Sequence, residues 1–230
     1  MNVIAHISNP FGTKFGVPRQ AGIVDTPGRI IFEPDYRVAE AVRGLEGFDY
    51  IWLIWQFSEA VREEWSPTVR PPRLGGNERM GVFATRSPYR PNPIGLSSVR
   101  LLGIETDREL GPVLLVSGAD LMDGTPIYDI KPYLPYADSH PGARSGFAAQ
   151  PADRLLEVEI APELLCQLSG DLQDSVIDVL SHDPRPRYQH DPDRVYGMEY
   201  GPCEVRFRVA GTVLTVISVQ KSRRGEPSAR

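Results

Sequence analysis

Short apolar runs recur along most of the chain, alternating or nearly continuous and separated by clusters of Gly, Pro, Asp and Asn. This is the pattern of strands rather than of helices. Asn2 to Ile7 and Arg29 to Glu33 (RIIFE) read as the first two strands. Between them, Ser8 to Gln20 is too broken by Gly12, Gly16 and Pro18 for regular structure. Asp35 stands where it could cap a short helix over Tyr36 to Arg43, with Gly44 as its stop. Phe48 to Phe57 (FDYIWLIWQF) carries the strongest strand signal, and its near-continuous apolarity predicts cover on both faces. After Trp65, the proline- and glycine-dense span from Pro67 to Asn77 excludes a helix or central strand and predicts a long loop. Met80 to Phe83 then reads as a short strand, followed by strands over Gly95 to Ile104, Val113 to Ala119 and Ile127 to Lys131. Gly111-Pro112 and Asp123-Gly124 mark turns between them. Strands of similar length with few helices predict a mainly β fold, an antiparallel barrel or sandwich.

Beyond a linker-like stretch, Ser139 to Asp153, the pattern changes. A strand over Arg154 to Ile160 precedes a short helix from Pro162 to Leu168 that Gly170 would stop. A second helix, Leu172 to Leu180, would be capped by Asp171. An irregular segment from Ser181 to Gly201 leads into two closing strands, Val205 to Val209 and Thr212 to Val219, and Lys221 to Arg230 is expected to fray. The expected organisation is an N-terminal β domain over 1–145 and a small C-terminal α+β domain over 152–230.

Composition narrows the function classes. At 41% hydrophobic and 24% charged over 230 residues, the chain reads as an ordinary globular protein. A net charge of −5 argues against a uniformly basic nucleic-acid binder. It leaves room for a local basic surface: from Arg70 to Arg90, five arginines (70, 73, 79, 86, 90) face one acid, Glu78, a local charge of +4. Cys166 and Cys203 lack zinc-ligand spacing and are expected as reduced thiols in a cytoplasmic chain. The N-terminus lacks a signal-peptide pattern, and no apolar run reaches the ~18 residues of a membrane span.

The candidate chemistry centres on Met80 to Leu96, MGVFATRSPYRPNPIGL. There Pro88, Pro91 and Pro93 stiffen a loop bearing Arg86 and Arg90, a frame suited to gripping a carboxylate or phosphate. No Rossmann fingerprint, Walker loop, H-E-x-x-H or nucleophile elbow is present. His182-Asp183 and His190-Asp191 match no common metal-ligand spacing, so no metal is expected. Cys166 lies among Leu164, Leu165 and Leu168, which points to core rather than nucleophile. What remains is a set in which Arg19, Arg86 and Arg90 hold an anion, Asp123 accepts from hydroxyl or amine groups and Gly124 permits close approach. It fits an amphiphilic metabolite with a carboxylate, a ribose and a base. In His182 to Tyr188 (HDPRPRY), Arg185 and Arg187 would project outward at fixed spacing and Tyr188 offers a ring for an unstacked base; the alternative is that Asp183 and Arg185 pair with each other or with neighbouring acids and brace the small domain.

At these residues the chain resembles a known family. PRQ at 18–20, RPPRLGGNERMGVFATRSPYRPNPIGLS at 70–97, DGTPIYDIKPYLP at 123–135 and DPRPRY at 183–188 closely resemble the TsaA-like family, in its bacterial tRNA-methyltransferase branch. The resemblance implies an antiparallel β-barrel enzyme, a homodimer, that uses S-adenosylmethionine to methylate N6 of N6-threonylcarbamoyladenosine beside the anticodon of tRNA. Carried over by position, the cofactor contacts fall on Pro18, Arg19, Gln20, Ser58, Glu59, Arg86, Leu96, Asp123, Gly124, Thr125 and Pro126. The family pattern has His-Gln where this chain has Ser58-Glu59, so a backbone contact carries over there more directly than a side-chain role. The tRNA contacts fall on Arg90, Asp183, Arg185, Arg187 and Tyr188. The alternative class is a non-catalytic S-adenosylmethionine- or RNA-binding module, separated by single-turnover methyl transfer; a metal-dependent hydrolase ranks third.

Overall fold

The structure is a computed structural model that describes residues 1–61, 64–75, 78–148, 155–186, 189 and 191–222, with only the backbone of Arg73. Its first sheet is built from β1 (Ala5–Ser8), β2 (Pro27–Phe32), β3 (Tyr50–Gln56), β6 (Ile94–Asp107), β7 (Gly111–Ser117) and β8 (Pro126–Pro132). Between β3 and β6, β4 (Thr68–Val69) and β5 (Met80–Gly81) form a separate two-stranded ribbon, so the span expected as loop carries a small hairpin. In the large sheet the strands pair antiparallel in the order β1-β2-β7-β6-β3-β8. β8 also pairs back onto β1, through Ala5↔Ile127 and His6↔Pro126. Buried positions alternate along β1, β2 and β3 and the first half of β6, as a period-two pleat requires, whereas β7 is buried over most of its length. Ile7, Ile30, Ile51, Leu53, Val99, Leu114, Val116 and Ile127 are buried and share one apolar cluster.

β3 differs from the expectation of cover on both faces. Ile51, Leu53 and Trp55 are buried, whereas Trp52, Ile54 and Gln56 are partly exposed and Tyr50 is exposed. The outer face receives only local cover: Trp52 lies 5.6 Å from the Tyr133 ring and donates its indole N–H to Asp138 at 2.9 Å. Gly95 is fixed by the inner face, because a Cβ there would lie 2.2 Å from the Trp55 ring.

After the short helix α1 (Pro135–Asp138), a second sheet runs in the order β10-β11-β12-β9, from β9 (Glu157–Glu159), β10 (Tyr196–Tyr200), β11 (Cys203–Ala210) and β12 (Val213–Lys221). Helices α2 (Pro162–Leu165) and α3 (Gly170–Ser181) precede β10. α3 buries Leu172, Ser175, Val176, Val179 and Leu180, a three-and-four spacing that makes one apolar stripe. This second core includes residues from the N-terminal segment: Phe11 and Val24 are buried in it, and Phe15 and Val17 pack against it. No helix among the described residues is long and apolar enough to cross a membrane.

Four local expectations are corrected. The helix over Tyr36 to Arg43 is two 3-10 turns, Pro34–Tyr36 and Ala39–Val42, with Val38 extended between them. Arg37 explains the break: its guanidinium donates to the Phe32 carbonyl at 3.0 Å and the Glu109 carbonyl at 3.1 Å, tying the chain to the sheet. α3 starts earlier than expected, with Ser169 rather than Asp171 at its N-cap and Gly170 inside its first turn. β10 falls within the segment read as irregular, where Gly197 and Glu199 obscure the alternation of buried Tyr196, Met198 and Tyr200. Cys166 is exposed, not core, because α2 ends after one turn and leaves it at the C-cap; Cys203 is buried, and both thiols are free.

Candidate functional site

The loop between β5 and β6 is built as its prolines suggested. Thr85 closes a turn onto the Val82 carbonyl through both its N–H (3.1 Å) and its hydroxyl (2.8 Å). Arg90 donates to the Thr85 carbonyl at 3.2 Å. In this structure Arg90 therefore braces the loop from within, while Arg86 is exposed. Arg86 donates to the side-chain oxygen of Gln20, and Gln20 donates to the carbonyl of Arg19. Two segments far apart in sequence, 18–20 and 86, thus meet.

A partly covered carboxylate beneath them was missed from sequence. Asp120 accepts from the Ser97 hydroxyl, and Ser97 in turn accepts the Trp55 indole N–H at 2.9 Å. Burial pushes the Asp120 carboxyl up from its ordinary value; the Ser97 hydroxyl, its own and Ala21's backbone N–H and the charge of Arg86 pull the other way. Asp120 so links the segment after Gln20, the strand after Leu96 and the field of Arg86. The only signal for it was its place three residues before Asp123, in a turn already read as ligand-facing.

The turn carrying Asp123 follows three residues after Asp120. Asp123 accepts the Asn9 backbone N–H at 3.0 Å, and its own N–H donates to the Phe11 carbonyl at 2.9 Å. Gly124 donates to Ile7 at 2.8 Å and holds φ +74, with nothing within 4 Å of an added Cβ. Thr125 is buried, and Ile7 donates to its carbonyl at 3.2 Å. Pro126 opens β8. Leu96 projects from β6 with 58% of its surface exposed. Ser58 and Glu59 are exposed in a 3-10 turn after β3, and Phe57 before them donates to the Pro93 carbonyl at 2.8 Å.

This face fits the chemistry of S-adenosylmethionine. Exposed Arg86, pre-oriented by Gln20, suits a carboxylate; Asp123 suits ribose hydroxyls; Leu96 offers apolar surface to a base; and the open side of Gly124 admits close approach. Pro18 and Arg19 lie beside it, but the Arg19 guanidinium donates to the carbonyls of Asp183 (3.3 Å) and Arg185 (3.2 Å).

The segment 182–186 departs from the expected outward display. Asp183 follows α3 in the left-handed region, φ +48, and its N–H donates to Leu180 at 3.2 Å. Its carboxylate receives the Arg185 guanidinium through Nε at 2.8 Å and Nη2 at 2.9 Å. Arg185 is 8% exposed, and the Asp183 fork raises its pKa. It points into the structure because a paired, two-bond fork satisfies a buried guanidinium that solvent would otherwise hold. Arg187 and Tyr188 lie outside the described residues, as does His190. His182 stays with its helix, its ring Nδ1 3.0 Å from the Asp178 carbonyl.

Comparison with known proteins identifies relatives over most of the chain. Family models for the tRNA-methyltransferase O N-terminal domain and the TrmO C-terminal domain match residues 6–139 and 153–222. The chain is 40% identical over 226 residues to a tRNA (adenine(37)-N6)-methyltransferase of Escherichia coli, covering 94% of this chain and 96% of the relative. It is 40% identical over 213 residues to RcsF of Pseudomonas aeruginosa, named provisionally as an S-adenosylmethionine-dependent methyltransferase, covering 89% and 90% of the two chains. The crystal structure of TrmO from Pseudomonas aeruginosa superposes with a TM-score of 0.76 at 33% identity, over 95% of this chain and 98% of that one. With both of its parts matched in order over most of its length, the chain belongs to the TrmO family.

Proposed function

We propose that this protein is an S-adenosylmethionine-dependent tRNA methyltransferase acting on N6 of adenosine 37, and that its substrate is N6-threonylcarbamoyladenosine. The observation that carries the reading is the contact between Arg86 and Gln20, two residues of separate cofactor motifs, with Asp120 in the field of Arg86; it supports reading those motifs as one site. When bound, S-adenosylmethionine supplies an electrophilic methyl group to the acceptor nitrogen by in-line displacement. Arg86 and Gln20 hold its carboxylate end, Asp123 its ribose and Leu96 its base, while Asp120 keeps the Arg86 surroundings in register. Such positioning is the main source of acceleration in a displacement of this kind. The N6 of the threonylcarbamoylated base lies between a purine and a urea carbonyl, which eases loss of its proton to a nearby carboxylate or water.

The finer architecture is part of the same proposal. The pairing of β8 onto β1 supports reading the six strands as a closed barrel. Two separate apolar clusters support a division near 145–152. Exposed Tyr50 and Leu102 on β3 and β6 support a homodimer. A tRNA substrate places the activity in the cytoplasm.

The test is single-turnover methyl transfer to tRNA carrying threonylcarbamoyladenosine, read by mass spectrometry of the nucleosides. A product heavier by one methyl on that nucleoside is expected. Cofactor binding without product would leave a binding module instead.

A further inference from the structure

Beside the cofactor face, and separate from its Arg86–Asp120 junction, lies a cleft of about 410 Å³. Three distant segments wall it: Lys14, Phe15 and Arg19 from the N-terminal loop, Pro72 from the segment before β5, and Arg185 and Pro186 after α3. Among the described residues, no acid lines it. The nearby Asp183 carboxylate is engaged by the Arg185 fork. Arg19 fixes the third wall by donating to the carbonyls of Asp183 and Arg185. Lys14 is exposed, and its ammonium stands 5.8 Å from the centroid of Tyr89, which lies between Arg86 and Arg90. The cleft is thus tied to the same loop that shapes the cofactor face.

We infer that this cleft is a subsite for one nucleotide of the RNA substrate, with its phosphodiester on Lys14 and its nucleoside against Phe15, Pro72 and Pro186. The inference rests on the tRNA reading above. Its size suits a nucleotide, since small-ligand clefts run upward from roughly 300 Å³. Its character is that of a single-strand site: a cation for the phosphate and flat, stiff apolar walls for sugar and base. In a chain of net charge −5, such a local cation is where a polyanion must be gripped.

The experiment measures binding of bulk bacterial tRNA to the full-length protein across a salt series, with S-adenosylmethionine affinity measured separately by calorimetry. Lys14→Ala should weaken tRNA binding about three- to tenfold, as loss of one charge-assisted contact. It should also reduce the slope of log affinity against log salt by about one. Cofactor affinity should stay unchanged, and Lys14→Arg should restore tRNA binding. Unchanged tRNA affinity and slope in Lys14→Ala, with wild type methylating tRNA, overturns the subsite alone. Parallel loss of cofactor affinity overturns it too, by assigning the cleft to the cofactor. Wild type that neither binds nor methylates tRNA overturns the functional reading along with it.

Discussion

Arg86 and Asp120 divide the work of one junction between an exposed cation and a partly covered anion. Removing the cation leaves a ligand carboxylate without its charge-assisted partner. Arg86→Ala should therefore weaken S-adenosylmethionine binding roughly 10- to 100-fold, and Arg86→Lys less, since lysine cannot offer the planar fork. Unchanged calorimetric affinity in Arg86→Ala would refute the assignment. Asp120 acts in the opposite sense on stability. Burial raises its folded-state pKa above the ordinary 3.8, so the folded protein binds that proton more tightly than the unfolded chain. Its contribution to stability is present below the ordinary carboxylate range and is lost as pH rises through the raised value. Asp120→Asn has no such proton to lose. Melting curves from pH 4 to 8 should show wild type losing ground to this variant as pH rises. Cofactor affinity should fall several-fold, because the amide is neutral beside Arg86 and puts an NH2 donor where the carboxylate had a second acceptor oxygen. A pH-independent difference in melting temperature would remove the burial argument.

At the scale of elements, the turn before β8 lets the demands of backbone geometry be separated from those of the proposed ligand. Gly124 needs its left-handed φ of +74, yet nothing lies within 4 Å of an added Cβ. Gly124→Ala should cost only the backbone strain, about 1–2 kcal/mol in urea unfolding. Gly124→Val should add a loss of cofactor affinity beyond that destabilisation; equal affinity in the two variants would make the glycine purely a turn residue. The turn itself was legible because Asp-Gly-x-Pro spells its chemistry locally. So were β3 and β6, whose apolar runs are long enough to dominate their neighbourhood. What escaped the sequence depended on partners far along the chain. Arg37 breaks an expected helix by reaching the carbonyl of Glu109, and β10 shows its alternation only once α3 and β11 cover it. The site followed the same rule. Arg86 and Gln20 stand in distinctive motifs, but Asp120 shows its role only through Ser97 and Ala21. Arg185 is the exception, since its partner Asp183 is two residues away and the pair is the alternative reading of that segment.

The segment between β1 and β2 ties the first sheet to the second core. Phe11 is fully buried against the C-terminal sheet, its ring 5.6 Å from that of Tyr200 in an edge-on contact. Phe15 stacks on Tyr196 and on Phe207, each at 6.4 Å. Polar contacts follow the same path: Gly201 donates to the Pro10 carbonyl at 2.8 Å, and Asp25 donates its N–H to Asp178 at 3.1 Å. The Phe11 carbonyl meanwhile accepts from Asp123, so one residue touches both the second core and the turn before β8. Phe11→Ala should destabilise the full chain by about 3–5 kcal/mol, the range for truncating a buried aromatic side chain. It should also weaken S-adenosylmethionine binding, which a plug serving the C-terminal sheet alone would not. A fragment spanning 152–230 lacks Phe11, Phe15, Val17 and Val24, and with them part of its core. Its urea transition should be broad and shifted to lower denaturant than that of the intact chain. Adding a synthetic peptide of residues 9–26 should restore part of the lost stability, because those side chains then return to the sheet. A sharp transition for the bare fragment at the intact protein's midpoint would show that the small sheet stands alone, and would reduce the N-terminal segment to a tether.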